Sequence, residues 1–268
     1  SKKKLFESLK KDSFAIINKD DSYGFEMGRE IVAKSLFYGI NESGNFKGKV
    51  IENNISGLSI EIDGYEMTSR LIGEFNAYNL LAVYAVTRTL GQDPLTILTI
   101  LSNLKAPEGR FEYVISPSKI TAIIDYAHTP DALENILKTL VSLKKGSEKI
   151  ITVFGCGGDR DNGKRPLMGE ISAIYSQHVL VTSDNPRSEN PKKIIEEICK
   201  GISPSKKNKV TIIEDRRKAI KAACEMASSG DIILIAGKGH EKYQIIGNEK
   251  IHFDDLEETI EIFKKTQE

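Results

Sequence analysis

The sequence has 268 residues, 40% of them hydrophobic and 28% charged, enough for one large domain or two modest ones with real cores. Lysine plus arginine balance aspartate plus glutamate at 38 each, so no charge excess calls for nucleic acid or an anionic membrane, and an acidic ligand must be held by a local cluster. Cys156, Cys199 and Cys224 are too sparse for a disulfide framework or a structural zinc, which fits a reducing cytoplasm, and no apolar run reaches membrane-spanning length.

The chain opens on Ser1 rather than Met, and Ser1-Lys2-Lys3-Lys4-Leu5-Phe6 runs into a helical pattern without a cap, so we expect a larger protein to begin upstream. Residues 14–18 predict a buried strand. Residues 57–62 alternate apolar and polar, turn at Asp63-Gly64, and predict a returning strand at 67–72. Helical spacing runs from Asn76 to Leu90 with Gly91 as the stop. Asp93-Pro94 starts a second helix that should end near Leu104. Ala106-Pro107-Glu108-Gly109 then reads as a linker, dividing the chain into 1–107 and 108–268.

After the linker, β-branched runs at 120–124, 150–154, 179–182, 210–213 and 231–236 alternate with amphipathic helices, the clearest at 131–144 behind Thr129-Pro130. That rhythm predicts βαβ units and a mostly parallel sheet. Residues 243–246 and 250–253 flank Gly247-Asn248 as a hairpin, and Asp254 with Glu257 should cap a last helix.

The unusual residues follow the strand runs. They are Asp125-Tyr126-Ala127-His128, Gly155-Cys156-Gly157-Gly158-Asp159-Arg160, Asp184-Asn185-Pro186-Arg187 and Gly237-Lys238-Gly239-His240-Glu241. In a parallel sheet all four loops reach one edge, where ligands bind. Blander roles exist for each. Glycines after a strand often only turn the chain. The 155–160 run fails the dinucleotide fingerprint, with Arg160 in the third glycine position, and Lys164 is followed by Arg165, so no phosphate loop stands there. Cys156 reads as a packing residue, and His178 and His252 as structural.

Taken together, DYAHTPD (125–131), GCGGDR (155–160), GKRPLM (163–168), DNPR (184–187) and AGKGHE (236–241) resemble the motifs of the Mur ligases, in order, and the resemblance spans essentially the whole chain. It implies an α/β protein: a Rossmann-like, mostly parallel C-terminal domain (108–268) that receives the amino acid, preceded by the remainder of an α/β ATP-binding central domain (1–107). It implies an ATP- and magnesium-dependent amide ligase of peptidoglycan synthesis. Its substrates would be UDP-N-acetylmuramoyl-L-alanyl-D-glutamate and meso-diaminopimelate, joined through an acyl phosphate by a monomeric enzyme with no nucleic-acid or membrane partner. The phosphate loop would lie outside these 268 residues, leaving them inactive alone.

By the same resemblance, Asn76 and Asn79 lie near the adenine, though either also suits a helix cap. Arg110, in the Gly109-Arg110-Phe111-Glu112 hinge, lies near ATP, Asp125 contacts the ribose, and His128 lies by the phosphates. Lys2, or Lys3 in a shifted register, becomes carbamylated and completes a magnesium site. Arg160, Asp184, Asn185, Pro186, Arg187, Gly237 and Glu241 form the amino-acid pocket. Arg187 favours a diamino diacid over lysine because paired N–H groups match a carboxylate, unless it merely pairs with Glu189. The alternatives are a meso analogue such as lanthionine as substrate, a ligase for lysine, D-alanyl-D-alanine, D-glutamate or folate glutamates, and a non-catalytic binding module.

Overall fold

A computed structural model describes residues 2–42 and 44–265. The chain divides into two compact units, Ser1–Lys105 and Ala106–Glu268. In the first, α1 (Lys3–Glu7), β1 (Phe14–Asn18), α2 (Gly24–Gly28), β2 (Lys34–Gly39), β3 (Phe46–Asn54), β4 (Gly57–Ile62) and β5 (Tyr65–Ser69) precede α3 (Glu74–Thr89) and α4 (Pro94–Ser102). The strands lie in the order β1-β2-β3-β4-β5, with β1, β2 and β3 parallel and β3, β4 and β5 antiparallel. Leu58, Ile60 and Ile62 alternate inward and are buried with Leu80, Leu81 and Tyr84 of α3.

The return strand begins two residues earlier than the hydrophobic pattern suggests and stops at Ser69 rather than at residue 72. Asp63 and Gly64 both have positive φ, 49° and 86°, as a type I′ turn requires, so Tyr65 pairs with Ile62 at once. Gly91, at φ 85°, ends α3 as expected, and Asp93 caps α4 by accepting the Thr96 N–H at 2.8 Å.

The second unit contains β6 (Glu112–Ile115), β7 (Thr121–Asp125), α5 (Pro130–Leu143), β8 (Ile150–Phe154), α6 (Lys164–Tyr175), β9 (His178–Val181) and α7 (Pro191–Lys200). A 3-10 turn (Pro204–Lys209), β10 (Val210–Ile212), α8 (Arg216–Met226), β11 (Ile232–Ala236), β12 (Tyr243–Ile246), β13 (Glu249–His252) and α9 (Asp255–Lys265) complete it. Its sheet has the order β10-β9-β8-β11-β7-β6, all parallel except β6. Ala122, Ile151, Val153, Leu180, Ile233 and Ile235 form one face and pack with Ala219, Ile220 and Ala223 of α8 and Phe263 of α9. The opposite face meets the layer α5-α6-α7, where Thr152 shares a 2.7 Å hydrogen bond with Ser176 at the end of α6. Burial of β8 and β11 along their whole length explains their nearly continuous apolar sequence, interrupted only by Thr152, whose hydroxyl is the one bonded to Ser176.

Thr129 caps α5 as the sequence suggests, its Oγ1 accepting the Ala132 N–H at 3.3 Å. At α9 the expected cap forms only in part: Asp254 accepts the N–H groups of Leu256 and Glu257 at 2.8 and 3.2 Å, but the Glu257 carboxylate takes the His252 ring at 2.7 Å instead of turning back to the cap. Among the described residues no helix is long and apolar enough to cross a membrane.

Candidate functional site

The parallel strands β7, β8, β9 and β11 end at Asp125, Phe154, Val181 and Ala236 on one edge of the sheet. The loops that follow them enclose a cleft of about 330 Å³. Its lining includes Tyr126, His128, Gly157, Arg160, Lys164, Asp184, Asn185, Arg187, Gly237 and Glu241. Four stretches far apart in sequence are thus brought together because each is the exit of a parallel strand.

One wall carries acidic and amide groups. Asp184 and Asn185 are buried. Asn185 Nδ2 donates to Glu241 Oε2 at 2.8 Å, and its Oδ1 accepts from Lys238 Nζ at 3.0 Å and from the Ile245 N–H at 2.9 Å. Gly237 has φ 118°, and a Cβ there would lie 2.7 Å from Asp184 Oδ2. Only glycine leaves this carboxylate its place.

The other wall is cationic. Arg187, at φ 52°, is pinned by its backbone: its N–H donates to Ile245 O at 3.1 Å and its carbonyl accepts from Gly247 N at 2.8 Å. Its Nη1 donates to the carbonyls of Gly158 at 2.8 Å and Asn185 at 3.4 Å. Among the described residues no carboxylate stands within ion-pair distance of Arg187. Glu189, a candidate partner by proximity in sequence, is taken instead by Arg165. That fully buried guanidinium donates to both Glu189 oxygens at 2.9 Å, to Glu197 at 2.6 Å and to Gly157 O at 3.1 Å. Glu189 also accepts the Asp159 N–H at 2.6 Å, and the Arg165 contact holds its carboxyl below the ordinary range. Arg165 therefore clips the 155–160 loop to the 184–189 loop. Arg160 is exposed on the rim and donates to Asp159 O at 3.3 Å, while the buried Pro186 turns the loop by accepting Glu189 N at 3.0 Å.

At the β7 exit, Asp125 accepts the Phe111 and Ala127 N–H groups at 2.8 Å each, tying the 109–112 segment to the strand end. Burial raises its pKa, against the pull of those N–H groups and Arg110. The guanidinium of Arg110 sits 5.9 Å from the Tyr126 ring. Tyr126 is flanked by His128 and His240, with centroids at 4.5 and 5.0 Å. His128 Nδ1 lies 2.8 Å from Tyr126 O, which can only accept, so Nδ1 carries the proton and Nε2 is left for other partners. Lys164 Nζ donates to His128 O at 2.7 Å.

Lys2, Asn76 and Asn79 belong to the first unit. Lys2 is exposed just before α1. Neither asparagine is a helix cap: Gly73 holds that position, Asn76 Nδ2 reaches back to Ile72 O at 2.8 Å, and Asn79 Nδ2 donates to Asn76 Oδ1 at 3.1 Å. Cys156 is buried beside Met168, and burial pushes its thiol up to about 12, so it offers no thiolate nucleophile. Sequence reasoning named Lys238 and Arg165 within the motif loops but gave neither a role. The signal for Lys238 was a lone cation set between glycines directly after a fully apolar strand; for Arg165, burial is invisible in an amphipathic helix start.

The family model described as "Mur ligase, glutamate ligase domain" matches residues 109–239, and that of the "Mur ligase middle domain" matches 1–87. A Cytophaga hutchinsonii protein named UDP-N-acetylmuramoyl-L-alanyl-D-glutamate--2,6-diaminopimelate ligase is 52% identical over 255 residues, covering 95% of this chain and 52% of the relative. The Parabacteroides distasonis protein of the same name is 46% identical over 267 residues, covering 100% and 55%. A solved structure of a ligase of that name aligns with TM-score 0.70 at 34% identity, covering 100% of this chain and 56% of that one. The chain spans about half the length of the curated relatives it matches. With the sheet edge, the motif loops and both family models in agreement, this chain belongs to the Mur ligase family.

Proposed function

We propose that this chain forms the amino-acid-receiving part, and a portion of the ATP-binding part, of the ligase that adds meso-diaminopimelate to UDP-N-acetylmuramoyl-L-alanyl-D-glutamate. The observation that carries the reading is the pairing of opposite walls in one cleft. Asp184 and Glu241 offer carboxylates to an ammonium, and Arg187 with Asn185 Nδ2 offers donors to a carboxylate. Those two functions are the ends of a free α-amino acid centre. Diaminopimelate has such a centre at its far end, so its binding there leaves the other amine free to react. Lysine lacks the far carboxylate and would leave Arg187 without a charged partner.

ATP, when bound, supplies the phosphoryl group that turns a poorly electrophilic carboxylate into an acyl phosphate. Arg110, Asp125, His128 and Lys164 would serve it: they gather at the β7 exit, and the cationic and N–H donors among them suit phosphate oxygens. Asp125 holds the 109–112 segment through Oδ2 and its own loop, at the Ala127 N–H, through Oδ1, and each oxygen retains a lone pair for a ribose hydroxyl. Asn76 and Asn79 are assigned to the adenine. Magnesium follows from the same reading, yet among the described residues no group of three His, Cys, Asp or Glu is placed to hold a metal ion. Lys2, as a carbamate, is the contribution this chain would make to such a site.

The test is amide-bond formation by the ligase that carries this chain, supplied with ATP, magnesium and the UDP-sugar dipeptide. Diaminopimelate-dependent formation of the UDP-sugar tripeptide is expected. Phosphate release without that product, or a product formed equally from lysine, would contradict the reading.

A further inference from the structure

Lys238 does not line the cleft but is buried behind three residues that do, Asp184, Asn185 and Glu241. It follows the fully buried β11 and is itself 0% exposed. A buried ammonium is costly unless its hydrogens are used. Its Nζ donates to Tyr243 O at 2.6 Å and Asn185 Oδ1 at 3.0 Å, and it stands 3.5 Å from Asp184 Oδ1 and 3.9 Å from Glu241 Oε2. Burial lowers its pKa and nearby Arg216 adds to that, while Asp184, Asp255 and Glu241 oppose it.

These contacts decide which way round the Asn185 carboxamide stands. Oδ1 meets two groups that can only donate, Lys238 Nζ and the Ile245 N–H, whereas Nδ2 meets an acceptor, Glu241 Oε2. Turned over, the amide would set its NH2 against two donors and its carbonyl against a carboxylate. The observed orientation leaves one Nδ2 hydrogen beyond the Glu241 bond and steadies Glu241.

We propose that Lys238 is the positioning residue of this cleft: it locks the Asn185 carboxamide with its oxygen inward, so that Nδ2 faces a bound carboxylate and Glu241 is held where an ammonium is received. Lys238 touches no ligand atom in this scheme and acts through Asn185. The inference rests on the amino-acid reading of the cleft, and its test separates the two.

The experiment is a double-mutant cycle on this chain, with the dissociation constant of meso-diaminopimelate read by calorimetry for the wild type, Lys238→Met, Asn185→Ala and the pair. Lys238→Met alone should weaken binding about tenfold, the worth of one charge-assisted bond. In the Asn185→Ala background the same change should cost less than about threefold, because the group it acts through is gone. Additive losses would overturn the proposal while leaving the amino-acid site intact. A wild-type chain that binds no diaminopimelate would overturn both.

A spectroscopic readout excludes a merely structural role. The Asn185 side-chain amide signal, assigned by its disappearance in Asn185→Asp, should exchange slowly in the wild type and quickly in Lys238→Met, with other amide signals unchanged. An unchanged Asn185 signal would refute the locking. Should Lys238→Met fail to fold, Asn185→Asp keeps the oxygen that Lys238 grips but removes the donor. It is expected to stay folded and to bind diaminopimelate at least about tenfold more weakly; undiminished binding would overturn the proposal.

Discussion

Replacing Asp255 with alanine should destabilise the second unit severely, and the structure sets the size of the effect. Arg216 and Asp255 are both 0% exposed and joined by two parallel bonds, Nε to Oδ1 at 2.8 Å and Nη2 to Oδ2 at 2.7 Å. Arg216 Nη2 also donates to Ala236 O at 3.1 Å, the last carbonyl of β11 before the Gly237-Lys238 loop. Its Nη1 is buried without a hydrogen-bond partner, so the carboxylate is its main compensation. Removing one partner of a buried pair costs about 3–5 kcal/mol, and at roughly 2–4 °C per kcal/mol for a unit of this size the melting midpoint should fall by about 6–20 °C. Thermal and urea melts followed by circular dichroism measure it. The double variant Arg216→Met with Asp255→Leu should recover much of the loss, because no charge is then left unpaired. A single variant within about 1 kcal/mol of the wild type, or a double variant worse than the single, would refute the reasoning.

Gly237→Ala should lower affinity for diaminopimelate by about tenfold or more through displacement of Asp184, since strain at positive φ and the 2.7 Å approach act together; calorimetry on the purified variant measures it. Glu189 has a folded-state pKa lowered chiefly by Arg165. Its contribution is therefore present above the unfolded value of about 4.3 and is lost as pH falls through the folded value. Urea melts between about pH 6 and 3 should show Glu189→Gln losing part of the acid-side slope, and an unchanged slope would contradict the assignment. Cys156, with its thiol pushed up to about 12 by burial, should resist iodoacetamide at neutral pH in the folded chain and react once urea unfolds it, as read by mass spectrometry.

The C-terminal sheet was legible because β8 and β11 are buried on both faces, which leaves nearly continuous apolar, β-branched runs in the sequence. The loop motifs were legible for a related reason: strand exits carry the residues that the strands themselves cannot. In the first unit the signal was weaker. Strand β3 alternates little and stays half exposed, with Gly48, Lys47 and Lys49 in its run, so its pairing with β4 shows only in three dimensions. Strand β6 is a short antiparallel edge with no buried residue and has the same difficulty. Within the site, individual charges were readable but their partners were not. Glu189 lies two residues from Arg187 yet is drawn off by Arg165, which comes from a helix on another loop. Asn185 and Lys238 are 53 residues apart in sequence and 3.0 Å apart in space, and no local pattern links them.

The central claim is that the cleft recognises a second amino-acid centre through Arg187. Calorimetric titration of this chain with meso-diaminopimelate and with lysine, repeated on Arg187→Ala, tests it most directly. A charge-assisted carboxylate pair is worth about 1.5–3 kcal/mol, so the wild type should favour diaminopimelate by roughly ten- to a hundredfold, and the variant should bind the two within a few-fold of each other. Equal affinity for lysine and diaminopimelate in the wild type, or an undiminished preference in Arg187→Ala, would contradict the account.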